Sequence, residues 1–200
     1  RFRVAWAQRE GPMSDQRKPS LILPVAELQP SIDFFTTVLG CTFEGTSGPF
    51  SVIRVTPDLT LQLVTANLTF PVFMTAAPGD STRLFIVEKG GRIRIVTVAN
   101  GSLATFLDIS GSGLISTDGE RGLLGMVFDA QYAANRQFYV FYTDQTGDIV
   151  IARYLRNAAN ANVADPAGTT LLTIEHSANS NHNGGMLAFG SDSCLYAAVG

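Results

Sequence analysis

From about residue 68 to the end of the chain, hydrophobic and polar residues follow each other in short runs that turn residues separate. β-Branched and aromatic residues fill the runs, whereas Gly, Asn, Asp and Ser fill the gaps, which is the pattern of short strands joined by tight turns. It predicts strands at 84–88, 92–98, 103–108, 123–128, 138–143, 148–154, 170–174, 186–189 and 195–199. Nine short strands with regular turns indicate an all-β sandwich, barrel or propeller.

The spacing of these strands favours the propeller. Apolar hairpin sequences begin at Leu84, Phe138 and Leu195, so a unit of one strand, a loop and a hairpin recurs at roughly fifty residues, as propeller blades do. Glycines at Gly122 and Gly184 open two of the strands. Glycine at a strand entry allows either a ligand or another backbone segment to approach closely, and both interpretations stay open.

The first third of the chain has a different pattern. Residues 20–64 predict a small α+β unit in the order strand, helix, strand, strand. Leu21 lies on the first strand, and a helix begins at Pro30 and ends at Gly40. Strands at 50–55 and 59–63 follow, with an extra strand near 41–44. The fold prediction is therefore a mainly β chain, with two to three blades of an incomplete six-bladed β-propeller behind a small N-terminal α+β module.

Three segments follow from these patterns: a leader at 1–19 that is disordered or non-native, the α+β module at 20–64, and the propeller part at 65–200. Residues 1–12 lack the apolar stretch and cleavage site of a secretory signal peptide. The last residues, 195–200, read as a strand and its turn, which suggests a fragment of a longer protein.

Composition and charge exclude several classes of function. The 200 residues are 46% hydrophobic and 16% charged, with a net charge of -3, so nucleic acid is not expected as a partner because phosphate binding requires a basic face. No apolar run is long enough for a transmembrane helix. The two cysteines, Cys41 and Cys194, form neither a disulfide framework nor a CxxC metal site.

The clearest candidate for chemistry is the sequence Asn181-His182-Asn183-Gly184-Gly185. A neutral imidazole accepts a proton near pH 7, so His182 is a candidate general base. The alternative is an ordinary histidine in a polar surface turn. The other histidine, His176, is expected to be solvent-exposed, and Asp144 and Asp148 are expected to form a hairpin turn.

Several motifs in order resemble the glucose/sorbosone dehydrogenase family, the soluble quinoprotein aldose sugar dehydrogenases. They are PVFMTAAPGDSTRLFIVEKGGRIRIV, GERGLLGMVFDAQYAANRQFYVFYTD and NHNGGMLAFGSDSCLYAAVG, from about Leu68 to Gly200. The resemblance implies a six-bladed β-propeller that binds pyrroloquinoline quinone (PQQ), oxidises an aldose sugar and passes electrons to a further acceptor. It also implies a location outside the cytoplasm, such as the periplasm.

The same resemblance assigns roles to particular residues. His182 matches the base that takes the proton of the anomeric hydroxyl, and Asn181 and Glu120 match positions that face the cofactor. Arg121 could contact a cofactor carboxylate or form an ion pair with Glu120. The Ca²⁺ of the family has its ligands beyond this chain, so no metal ligand is predicted here. The 200 residues alone are expected to have little or no dehydrogenase activity.

A second resemblance concerns the N-terminal module. LILPVAELQPSIDFFTTVLGCTFEG and VIRVTPDLTLQL resemble half of a glyoxalase/bleomycin-resistance (vicinal oxygen chelate) domain. The metal-ligand positions of that family fall on Ser20 and Gln62, a poor pair for a divalent metal, so no metal is predicted. Two alternatives to the dehydrogenase remain: a non-catalytic propeller that binds a ligand, and a homodimer whose paired N-terminal modules bind a small molecule.

Overall fold

A computed structural model describes residues 20–22, 42–47, 50–56, 59–63, 65 and 67–200. The chain divides into two compact units. The first comprises the described residues up to Leu68 together with residues Thr97–Ser102, and the second comprises Thr69–Val96 and Leu103–Gly200. Each unit is described by itself below.

The first unit contains one four-stranded sheet. Its strands are β1 (Ser20–Ile22), β2 (Thr42–Ser47), β3 (Phe50–Thr56) and β4 (Leu59–Leu63), in the spatial order β1-β4-β3-β2. Strand β1 runs parallel to β4, whereas β2 pairs with β3 and β3 with β4 in antiparallel fashion. The predicted strands at 50–55 and 59–63 are present, and the extra strand is β2. The predicted helix from Pro30 to Gly40 lies outside the described residues.

The second unit contains two four-stranded sheets and a hairpin. The first sheet has β5 (Pro71–Thr75), β6 (Arg83–Glu88), β7 (Arg92–Thr97) and β8 (Leu103–Asp108), which lie side by side in chain order. The second has β9 (Leu123–Phe128), β10 (Gln137–Thr143), β11 (Ile149–Leu155) and β12 (Thr169–Ile174), also in chain order. The hairpin is β13 (Met186–Phe189) with β14 (Leu195–Ala198), and a short helix α1 (Tyr132–Asn135) precedes β10.

The first strand of each sheet lies beside the first strand of the next. Strand β9 packs beside both β5 and β13. Sheets that each meander outward from an adjacent inner strand are blades of a β-propeller. The mainly β fold and the partial propeller of two to three blades are therefore confirmed.

Aromatic rings fill the space between the first two blades. Phe85 packs edge-to-face with Phe106 and with Phe128, at centroid distances of 4.9 and 4.8 Å. Phe138 of β10 and Tyr154 of β11 extend the cluster with stacked rings 5.9 Å apart, and four of these five rings are at most 2% exposed. Such pairs add about 0.5–1.5 kcal/mol each beyond the burial of their area.

A second core lies on the opposite face of the second blade. Phe141, Ile149 and Ile151 pack there with Leu187 of β13. Neighbouring residues of a strand point to opposite faces, so Val140 joins the aromatic cluster while Phe141 joins the second core. Burial on both faces explains why β10 reads as a nearly continuous apolar run instead of an alternating one.

The nine predicted strands are all present, with ends within a few residues of the prediction. Strand β5 was missed because it begins with Pro71 after Phe70, which has a left-handed backbone (φ 47°), and proline argues against a strand interior. Helix α1 was missed because its four residues show no helical period.

Large apolar side chains are exposed on β12 and on the hairpin that follows it. Leu171 and Leu172 are 47% and 50% exposed, and Tyr196 of β14 is 56% exposed. Exposed apolar side chains grouped in this way are typical of a surface that another segment or partner covers.

Candidate functional site

The candidate base lies on the loop that joins the second blade to the hairpin, residues 176–185, called here the histidine loop. Two other segments of the chain contact it. One is the entry to β9, residues 118–122, which carries Glu120 and Arg121; the other is the β10–β11 turn, residues 144–148. Segments far apart in sequence thus meet because they follow or precede neighbouring strands of the blades.

His182 has a left-handed backbone and an exposed side chain. Its φ is 58°, a conformation that costs a non-glycine residue roughly 1–2 kcal/mol. The backbone N–H of His182 donates to Glu120 Oε2 at 2.8 Å, which stabilises this conformation with a charge-assisted hydrogen bond. Within the described part of the chain, no hydrogen bond involves the imidazole ring, so the ring is available to a ligand.

Asn181 precedes His182 and is also exposed. Its carbonyl oxygen lies 3.0 Å from His176 Nε2, a distance at which the imidazole donates when that nitrogen carries its proton. His176 is half-buried, less open than the solvent-exposed residue that the sequence predicts, because its ring contacts the main chain of the same loop. The Asn181 side chain stays at the surface beside His182.

Arg121 binds the backbone of the histidine loop. Its Nη2 donates to the carbonyl oxygens of Ser177 and Asn179, each at 3.0 Å, while its Nε is buried without a partner. Among the described residues, no ion pair joins Arg121 to Glu120. The predicted ion pair between Arg121 and Glu120 is thus absent from these residues, and Arg121 instead donates to main-chain carbonyls of the histidine loop.

The β10–β11 turn binds the start of the same loop. Asp148 Oδ1 accepts the backbone N–H groups of His176 and Ser177, both at 2.9 Å. The N–H of His176 contributes most to lowering the pKa of Asp148; slight burial opposes it and the N–H of Ser177 adds to it. Asp144 forms the turn, as expected, by accepting the N–H groups of Gly147 and Asp148 at 3.0 Å. Asp148 also binds the first two residues of the histidine loop.

The two strand-entry glycines, Gly122 and Gly184, are required by backbone contacts within the chain. A Cβ on Gly184 would overlap the carbonyl oxygen of Ala198, and one on Gly122 would lie 2.6 Å from the carbonyl oxygen of Lys89. Gly184 also has a left-handed backbone, with φ at 75°. The strand-entry glycines are thus explained by close backbone packing, and the interpretation as space for a ligand is not needed at these two positions.

One buried polar atom of the loop has no partner. Asn183 is 2% exposed, and its Nδ2 donates to Ser180 O at 3.2 Å, whereas its Oδ1 is unpaired. Asn183 belongs to the motif that the sequence indicates, but its burial follows from the three-dimensional position of the loop and is not predicted there. The same holds for Thr143, whose buried hydroxyl accepts the N–H of Gly122 at 2.8 Å.

Metal and membrane sites were searched in the residues that the structure describes. They contain no group of three or more His, Cys, Asp or Glu residues that could hold a metal ion. They also contain no helix with the length and apolar character needed to cross a bilayer.

The blades and the histidine loop define the class of protein: a β-propeller domain that presents an exposed histidine beside a carboxylate. The family model Glucose / Sorbosone dehydrogenase matches residues 68–200. The chain therefore belongs to the glucose/sorbosone dehydrogenase family, and the resemblance predicted from its motifs is confirmed. The resemblance of the N-terminal module to glyoxalases stays a prediction.

Solved structures and curated proteins extend this comparison. The PQQ-bound aldose sugar dehydrogenase of Streptomyces coelicolor is 27% identical with a TM-score of 0.57, over 68% of this chain and 40% of that one. The apo aldose sugar dehydrogenase of Escherichia coli is 25% identical with a TM-score of 0.52, over 66% and 38%. Hedgehog-interacting protein is 31% identical in Mus musculus (71% of this chain) and 30% identical in Homo sapiens (70%). The matched region spans 22% of each Hedgehog-interacting protein.

The family resemblance implies PQQ as a cofactor, and the groups around the histidine loop match its chemistry only in part. PQQ is a flat anionic ring system, and His182, Asn181 and Glu120 expose a base, an amide and a carboxylate around one surface of the histidine loop. The nearby cations are already bound: Lys89 Nζ donates to Gly119 O at 2.5 Å, and Arg121 donates to the loop carbonyls. Around the histidine loop the described residues therefore offer a base, an amide and a carboxylate, while each of the two nearby cations already donates to main-chain carbonyls.

Proposed function

We propose that the protein containing this chain oxidises aldose sugars, with His182 as the general base. The observation that supports this most is that the imidazole is exposed and unpaired while the backbone that carries it is held by Glu120. The left-handed conformation costs a histidine more than it would cost glycine or asparagine, and the charge-assisted bond to Glu120 offsets part of that cost.

His182 would act on the hydroxyl of the anomeric carbon. The neutral imidazole accepts the hydroxyl proton as the C–O bond gains double-bond character, and the C–H hydrogen leaves with its electron pair, so the sugar loses two electrons overall. When bound, PQQ supplies the acceptor for that electron pair. The imidazole must be neutral at the start of this step.

The neighbouring residues would bind and orient. Asn181 offers an amide next to the base, and its exposed side chain can accept or donate a hydrogen bond to a sugar hydroxyl or a quinone oxygen. Glu120 holds the backbone of His182 and keeps its other carboxylate oxygen for a ligand. Arg121 was predicted to contact a cofactor carboxylate; its Nη2 is occupied by the loop, so any such contact would use Nη1.

The test is an activity measurement on the full-length protein encoded by the source gene. With PQQ, Ca²⁺, an aldose and an electron-accepting dye, His182→Gln should lower kcat/KM by about 10²- to 10⁴-fold, the usual contribution of a placed base. Ser193→Gly serves as a control, because Ser193 is an exposed residue of the β13–β14 turn that also has a left-handed backbone (φ 63°). Full activity of His182→Gln would overturn the proposal. The 200 residues alone should show little or no turnover.

A second function is supported by the curated relatives. Hedgehog-interacting protein is named for a protein partner, and its identity with this chain, 31%, exceeds the 27% of the Streptomyces coelicolor enzyme. A propeller that binds a macromolecule without catalysis would retain ligand binding after His182→Gln and would show no dye reduction in the full-length protein. The same activity measurement therefore separates the two functions.

Location and assembly complete the proposal. We place the whole protein outside the cytoplasm, as the family resemblance implies. The N-terminal module is proposed as a glyoxalase-like half whose pairing with a second copy would give a homodimer with a small-molecule cavity. Sedimentation of the 200-residue chain tests this, because a monomer at all concentrations would exclude the paired module.

A further inference from the structure

We propose that Arg121 is a positioning residue for the histidine loop, and that the β10–β11 turn supports the guanidinium of Arg121. The catalytic consequence rests on the function proposed above, whereas the structural consequence does not. Arg121 and the turn would together fix residues 176–182, so that the backbone of His182 meets Glu120 and its ring points away from structural contacts.

The guanidinium holds the carbonyl side of the loop. A single atom, Nη2, lies 3.0 Å from both Ser177 O and Asn179 O, so it bridges two peptide groups that face the same way. Hydrogen bonds from a charged donor are stronger than those between neutral groups. The loop also bends between these points, because the N–H of Asn179 donates to His176 O at 3.1 Å.

The turn holds the N–H side of the same loop. Asp148 Oδ1 accepts the N–H groups of His176 and Ser177 at 2.9 Å. Ser177 is thus bound at both ends of one residue, by a carboxylate at its N–H and by a guanidinium at its carbonyl. Opposite charges on opposite backbone groups fix both the position and the direction of the chain at this point.

Gly147 makes room for the guanidinium. A Cβ on Gly147 would overlap Arg121 Nη2 and Cζ and would lie 2.9 Å from Nε. Gly147 has a left-handed backbone, with φ at 97°, and Asp144 Oδ1 holds its N–H at 3.0 Å. The turn therefore presents a flat glycine surface on which the guanidinium plane rests.

The unpaired Nε of Arg121 argues for a role in positioning over one in global stability. A buried donor without a partner lowers the stability that the residue contributes to the fold. Replacing Arg121 by an apolar residue of similar length removes this unpaired donor together with the two bonds to the loop. The overall fold should then keep most of its stability while the loop loses its fixed conformation.

The experiment measures amide hydrogen exchange by NMR in the 200-residue chain. Arg121→Met should speed exchange of the Ser177, Asn179 and His182 amides by about tenfold or more, with little change in β10 and β11, because local opening is independent of global unfolding. Arg121→Lys should restore most of the protection, since one ammonium nitrogen can also bridge two carbonyls. Equal acceleration in loop and strands, or none in the loop, would overturn the proposal.

Gly147→Ala provides a second route to the same state, because its Cβ would displace the guanidinium without changing Arg121. Gly79→Ala is the matched control: Gly79 also has a left-handed backbone (φ 76°), but nothing lies within 4 Å of the Cβ position. Gly147→Ala should therefore speed loop exchange as Arg121→Met does, and Gly79→Ala should not. Loop protection that survives Gly147→Ala would show that the position of the guanidinium does not depend on the space at Gly147.

Kinetics on the full-length protein separate this proposal from the proposed function. If the protein oxidises aldoses, Arg121→Met should lower kcat more than it raises KM, and Arg121→Lys should recover kcat. Unchanged kcat in an active Arg121→Met protein would refute the positioning role. If the wild-type protein has no activity, the proposed function fails, while the exchange pattern in the 200-residue chain still decides whether Arg121 fixes the loop.

Discussion

Glu120 and His182 meet through the backbone of the histidine, not through its ring. The carboxylate Oε2 accepts the His182 N–H at 2.8 Å over a separation of 62 residues, and the imidazole remains exposed. Two residues that the sequence placed near a cofactor are therefore in direct contact. The contact supports the backbone conformation of the candidate base and leaves its imidazole ring exposed.

Removing the carboxylate should loosen the backbone at His182. Glu120→Ala removes the only acceptor seen for this N–H in the described residues, so the unfolding free energy should fall by about 1 kcal/mol, the usual worth of one hydrogen bond. Glu120→Gln keeps an acceptor oxygen but loses its charge, so its effect should be about half as large. Urea unfolding gives the stability, and the His182 amide shift reports the bond. An unchanged amide shift in Glu120→Ala would contradict this.

His182 should show a conflict between stability and activity. His182→Gly relieves the left-handed strain, so it should be more stable than His182→Ala by about 1 kcal/mol, while neither variant keeps a base. Urea unfolding midpoints of the two variants measure the difference. Ser193→Gly and Ser193→Ala form the control pair at φ 63° and should differ by a similar amount without loss of dye reduction in the full-length protein. Equal midpoints for the two His182 variants would mean that the left-handed conformation carries no strain.

The contact between the inner strands of neighbouring blades should tolerate no added methyl group. A Cβ on Gly125 of β9 would overlap the carbonyl oxygen of Gly185, next to β13. Gly125→Ala should therefore destabilise the chain by about 1–3 kcal/mol, as overpacking does. At Gly90 nothing lies within 4 Å, and Gly90→Ala should be neutral or stabilising by up to about 1 kcal/mol. Thermal unfolding of the two variants tests the sign, and a stable Gly125→Ala protein would exclude this close contact.

Acid should release the start of the histidine loop. The N–H of His176 contributes most to lowering the pKa of Asp148 from 3.8, so the stabilisation from this carboxylate is fully present above pH 3.8 and is lost as the pH falls through the lower folded value. In an NMR titration from pH 6 to pH 2, the His176 and Ser177 amide shifts should change only in that acid range. Asp148→Asn should abolish this change, because an amide oxygen accepts at every pH.

The titration contains its own control. Asp192 also has a lowered pKa, mainly because its carboxylate accepts the Cys194 N–H, at 3.0 Å. The Cys194 amide should therefore titrate in wild type and in Asp148→Asn alike. A His176 shift that persists in Asp148→Asn would assign the effect to another group.

The sequence predicts the blades well because each strand carries its own signal. Runs such as the one that begins at Phe138 are rich in β-branched and aromatic residues, and glycine-containing turns separate them. Strand β5 gives no such signal: it begins with Pro71, and its pairing with β6 supplies what the local sequence lacks. The apolar run of β10 indicates that both of its faces are buried. It does not indicate which core each face enters.

The sequence predicts the candidate base but not its support. His182 is visible because imidazole chemistry and the flanking glycines are local features. Arg121 and Asp148 act through main-chain groups of a loop that lies 28 or more residues away in sequence, and main-chain acceptors have no signal in side-chain type. The three segments meet at one end of the blades only in the folded chain. There the guanidinium of Arg121 binds carbonyl groups of the loop, and the carboxylate of Asp148 binds its N–H groups.

The backbone contact between Gly125 and Gly185 also bears on which substitutions the joint between the blades tolerates. Where two blades touch through glycine, their main chains approach more closely than any side chain would allow. Side chains around the joint, such as Leu124 and Val127, do not separate the two main chains, so a change in their volume should leave this close approach in place.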